Sequence, residues 1–160
     1  MPNHCYQSVY LHGPTHLVSM LYDGLTQNGY NPHNEGRALN PQFCQLVCPM
    51  PFEVWAHEER RPDQLMPDWY EWRVENWGTK WDVCEVEIIE PLAHEDVFDK
   101  SWFSFRCWTA WGAPIPVWDK LHAMGIEVQA DYQDEGGMFE GEYHHGEDRS
   151  WDPEDVLEEA

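Results

Sequence analysis

The amino-acid sequence predicts an α+β domain built on one antiparallel sheet, with helices packed on a single face. Three observations carry this. Runs rich in β-forming residues recur along the chain, and two runs between them repeat apolar residues at helical spacing. The chain has 160 residues, 42% hydrophobic and 14% aromatic, enough for one ordinary core and too much for a disordered chain. No apolar run approaches the ~20 residues that cross a bilayer as a helix, so no membrane partner is expected.

The elements follow in order. His4 to Leu11 alternates loosely around Tyr6, Val9 and Tyr10 and reads as a strand that Gly13-Pro14 ends. Pro14 or Thr15 opens a helix whose Leu17, Val18, Leu21 and Leu25 share one face, with Gly29 as its stop. Residues 30–41 are turn chemistry. Phe43 to Val47 is a short apolar run, expected as a strand stopped by Pro49 and Pro51. Residues 56–67 read as an exposed loop. Asp68 caps a short helix with Trp69, Trp72 and Val74 or Trp77 on its apolar side, closed by Asn76 and Gly78.

Val83 to Ile89 alternates as a strand, and residues 90–100 are expected as a polar connection. Ser101 to Thr109 is the next strand, rich in aromatic β-formers. Pro114 and Pro116 fit the first turn of a helix, where a missing amide donor costs little. Val117, Leu121 and Met124 form its buried stripe and Gly125 its end. Ile126, Val128, Ala130 and Tyr132 alternate as a strand, and Gly136-Gly137 turns the chain into a final strand, Met138 to Tyr143.

Without the insertion at about residues 30–80, this order is the split βαβ arrangement of a ferredoxin-like sheet, with a C-terminal hairpin strand added. Strand 126–133 should then pair with strand 4–11. A single domain spans residues 1–146, and residues 147–160 form an acidic tail.

Thirty Asp and Glu oppose nine Lys and Arg, a formal net charge of −21. Such a charge repels phosphates and anionic membranes, which disfavours direct nucleic-acid binding, and it steers the chain toward a protein partner with a basic surface. Five cysteines, an odd number, and an N-terminus without a basic, apolar leader point to a reduced cytoplasmic setting. Oligomeric state is left open.

The densest candidate binding site is Asn76, Trp77, Gly78, Thr79, Lys80, Trp81 and Asp82. Lys80 and Asp82 offer paired charge and the indoles offer pocket walls; the competing reading is a helix-to-strand corner with buried Trp77 and Trp81 and Gly78 at positive φ. The aromatic set Trp102, Trp108, Trp111 and Trp118 lacks the basic groove of a stacking platform and reads as core. Cys44 and Cys48 have no second pair for zinc, and adjacent His144 and His145 would point to opposite faces of a strand. No metal and no cofactor are expected, and no nucleophile elbow, phosphate loop or zinc-protease motif is present. A candidate acidic surface comprises Asp134, Glu135, Glu140, Glu142, Glu147 and Asp148, whose carboxylates could imitate the phosphates of DNA.

Several segments resemble one family. They are Met1-Pro2-Asn3 with Cys5, Pro49-Met50-Pro51, the run from Trp72 to Asp82, Thr109 to Pro114, and Glu135 to Gly141. Together they resemble the small phage and plasmid proteins related to YubB, which carry a ferredoxin-like domain. The likeness covers most of residues 1–145. It departs at His4, where family members usually carry Trp, and it omits the acidic tail. It implies a viral or mobile-element origin, no activity, and no functional residue to carry over. The expected function is that of a non-enzymatic accessory protein that binds a host protein. A structural or assembly component of a virus particle and a small enzyme of unknown reaction stay open as alternatives.

Overall fold

The computed structural model describes residues 3–26, 41–51 and 69–153. Its elements are β1 (His4–Pro14), α1 (Thr15–Thr26), α2 (Cys44–Val47), α3 (Trp69–Trp77), β2 (Cys84–Glu95), β3 (Lys100–Ala110), α4 (Ile115–Ala123), β4 (Glu127–Asp134), β5 (Glu140–His144) and β6 (Glu147–Trp151). The strands form one six-stranded sheet in the order β2-β3-β1-β4-β5-β6, antiparallel throughout. β1 is central: Val9 lies opposite Phe105 of β3 on one side and Ala130 of β4 on the other. The expected pairing of the first strand with the strand at 126–133 is therefore present.

Alternation decides which face is covered. Cys5, Val9 and Leu11 of β1, Phe103, Phe105 and Cys107 of β3, and Val128, Ala130 and Tyr132 of β4 are buried in one cluster. Val18, Leu21 and Leu25 of α1 and Val117, Trp118 and Leu121 of α4 complete it. Burying each of the Val, Leu and Phe side chains stabilises the fold by roughly 1.5–3 kcal/mol. Both helices thus lie on the same face of the sheet. Gln7 falls in the buried row and is satisfied there: its amide donates to Thr109 Oγ1 at 2.5 Å and to the Cys5 carbonyl at 3.2 Å.

Three expectations are corrected. Phe43 to Val47 is not a strand; Cys44–Val47 is one helical turn. Its reason lies far along the chain, where the Asp82 carboxylate accepts the amides of Phe43, Cys44 and Gln45 at 2.8–3.2 Å and so caps the turn. Residues 90–95 are not a connection, because β2 runs on to Glu95 and only residues 96–99 turn the hairpin. The acidic tail does not begin at 147: Glu147–Trp151 is β6, paired with β5. Gly29, the turn chemistry at 30–40, Asp68, the loop at 56–67 and residues 154–160 lie outside the described residues.

Candidate functional site

The run from Asn76 to Asp82 joins α3 to β2. Trp77 is 1% exposed, and its indole nitrogen donates to the Cys48 carbonyl at 2.8 Å. Asn76 Nδ2 donates to the Trp72 carbonyl one turn back at 2.9 Å. Gly78 ends α3 at φ +77, its amide shared between the carbonyls of Arg73 and Val74. A left-handed backbone there suits glycine, and a β-carbon would meet Pro116 Cδ at 2.9 Å. Thr79 is buried; its hydroxyl donates to the Trp81 carbonyl and accepts the amide of Ala110. Asp82 also accepts the amide of Val83 at 2.7 Å. Nearly every group in the run is committed to holding elements together.

Lys80 is the exception with a surface. Its ammonium lies 5.7–5.8 Å from the ring centres of Tyr70, Trp81 and Trp111, within cation–π range. Trp111 is 41% exposed and sits at φ +72, with its amide donating to the Asn3 carbonyl at 2.7 Å. Trp81 is only half-buried, which departs from the expectation of two buried indoles.

The face of the sheet opposite the helices is the second candidate. No described helix packs on it. Cross-strand register puts Glu87, Arg106, Ser8, Asp131, Glu142 and Arg149 in one row across all six strands. A neighbouring row carries Tyr6, Trp108, Gln133 and Glu140. His4 packs edge-on against Trp108 at 3.7 Å between ring centres, and Glu135 holds it through its amide and its Nδ1. A cavity of about 240 Å³ opens on this face, bordered by Ser8, Tyr10, Arg106, Gln129, Asp131 and His144.

The six residues of the candidate acidic surface do not stay together. Glu140, Glu142 and Glu147 lie on the open face, as pairing with Gln133, Asp131 and His144 requires. Asp148 pairs with Tyr143 on the other face and accepts the hydroxyl of Tyr132. Asp134 is 7% exposed and accepts the amide of Met138 at 3.1 Å, so it offers no exposed carboxylate. Glu135 stands at the turn beside His4.

The five cysteines are free thiols. Burial raises the Cys44 and Cys107 thiols well above their ordinary range, with the nearby Asp82 charge adding to it, and pushes Cys5 up to about 12. These are neutral, unreactive groups. Burial likewise raises the Tyr143 hydroxyl, which donates to Asp119 at 2.6 Å and ties β5 to α4.

Asp131 stands outside the six-residue candidate acidic surface, yet it lies on the open face between Ser8 and Glu142. The signal was the parity of β4 and β5: once Gly136-Gly137 is taken as a hairpin turn, odd residues of β4 and even residues of β5 share a face.

No family model matches the chain, and no curated protein or solved structure matches it.

Proposed function

We propose that this chain is a non-enzymatic accessory protein of a phage or plasmid that binds a host protein presenting a basic surface, in the host cytoplasm. We read β1, α1, β2, β3, α4 and β4 as a ferredoxin-like unit that β5 and β6 extend; the antiparallel neighbours of β1 support that reading. The carrying observation is the sheet face on which no described helix packs, in a chain with net charge −21; that face carries Glu87, Glu127, Asp131, Glu140, Glu142 and Glu147. Among these, Glu140 and Glu142 are two residues apart on one strand, a spacing of about 6.8 Å. That is near the roughly 6–7 Å between successive phosphates of one DNA strand, so the partner surface fitted best is one that otherwise holds nucleic acid.

The test is capture of partners from host lysate at low and high salt, compared with a Glu127→Gln, Glu140→Gln, Glu142→Gln triple variant. Capture should weaken with salt and in the variant, and DNA should compete for the captured protein. Capture indifferent to both salt and the variant sinks the reading.

A further inference from the structure

We propose that Asp131, Glu142 and His144 form a divalent metal site on the open face of the sheet, taking Zn²⁺ or Mn²⁺. Asp131 and Glu142 are directly opposed on β4 and β5, and His144 follows Glu142 by two residues on the same face. One ligand atom from each of the three lies within 4.8 Å of the others. Metal–ligand bonds of about 2.0–2.2 Å let a single ion reach all three after small side-chain rotations.

Two observations besides proximity favour an ion. Carboxylates directly opposed on neighbouring strands repel each other. Glu142 is approached at 3.7 Å by Arg149, whose side chain is 75% exposed, and at 3.7 Å by His144 Nε2; a dication shared with Asp131 would relieve the repulsion of the two carboxylates. The cluster also borders the cavity of about 240 Å³, where Ser8, Tyr10 and Gln129 supply neutral oxygen and nitrogen groups and Arg106 lines the side away from β5. The open coordination positions would face that space.

The donor set selects the ion. Two carboxylates with an imidazole suit Zn²⁺ or Mn²⁺, whereas Mg²⁺ and Ca²⁺ prefer oxygen alone. His145 takes no part; it stands at the β5–β6 turn with φ +48. The expectation of no metal gives way here for a reason of register, because Asp131 lies opposite Glu142 and diagonal to His144, on the same face.

The inference is independent of the partner-binding role, since metal uptake is measured without a partner. The full chain, stripped by chelator, is titrated with Mn²⁺ in electron paramagnetic resonance and then challenged with Zn²⁺. One saturable Mn²⁺ per chain is expected, displaced by Zn²⁺, with NMR broadening centred on residues 129–131 and 142–144. Affinity should fall about tenfold or more in His144→Ala and in the near-isosteric Asp131→Asn. Glu140→Gln, which removes a carboxylate from the same strand and face but outside the cluster, should change it little. Absence of saturable uptake, equal losses in all three variants, or full affinity in His144→Ala overturns the proposal.

Discussion

Two glycines separate the cost of a backbone angle from the cost of crowding. Gly78 and Gly125 both lie at positive φ, +77 and +88, but only Gly78 has neighbours where a β-carbon would go. Gly125→Ala should cost about 1–2 kcal/mol, the usual penalty of a left-handed residue. Gly78→Ala should cost more, because the added methyl meets Pro116 at 2.9 Å and the Ala113 carbonyl at 3.2 Å. Urea denaturation of the two variants checks the order. Asp82 makes a sharper case, since one carboxylate serves four amides. Asp82→Ala should cost about 2 kcal/mol, at the upper end for a lost cap. It should also expose Cys44 to thiol reagents before global unfolding. A cap change that left Cys44 protected would mean that α2 is held by packing alone.

At the scale of elements, β6 changes what a truncation means. Removing residues 154–160 leaves the sheet whole, whereas removing 147–160 strips a strand, bares the edge of β5 and takes Asp148 from Tyr132. The deletion from 147 should lower the melting temperature, as calorimetry would show. Tyr143→Phe tests the tie between β5 and α4, with an expected loss of about 1 kcal/mol for one hydrogen bond. Which elements were legible in the sequence follows from the same contrast. β1, β3, β4 and both long helices announce themselves because their periodicity is local. α2 is not legible, because so short a run suits either state and the deciding carboxylate is Asp82, thirty-eight positions from Cys44. The far half of β2 was hidden by Pro91, which argues against a strand: Glu90 to Glu95 is an irregular edge with register shifts, one way such an edge avoids pairing with other chains. The Asn76–Asp82 run was legible as distinctive, and most of that distinctiveness is architectural. The cluster on the open face depends on hairpin register, which no single segment encodes.

For the molecule as a whole, alkaline stability reports the buried thiols. Cys5 keeps its proton in the fold to about 12, against an ordinary 9.0 in the unfolded chain. Cys44 and Cys107 are raised in the same direction. Unfolding above that ordinary value therefore releases protons, so stability is full below pH 9 and falls as pH rises toward 12. Chemical denaturation across pH 8 to 11 should show the decline, and Cys5→Ala should flatten part of it. The central position of β1 carries a further consequence. The strand made first needs partners made much later; Gln7 bonds Thr109, 102 positions on, and β4 follows later still. On the ribosome, β1 waits without either neighbour until residue 110 has emerged, and without its second neighbour until residue 134 has. Folding is then a late event in synthesis: a translational stall before β3 leaves β1 unpaired, and a stall between β3 and β4 leaves it with one bare edge open to aggregation.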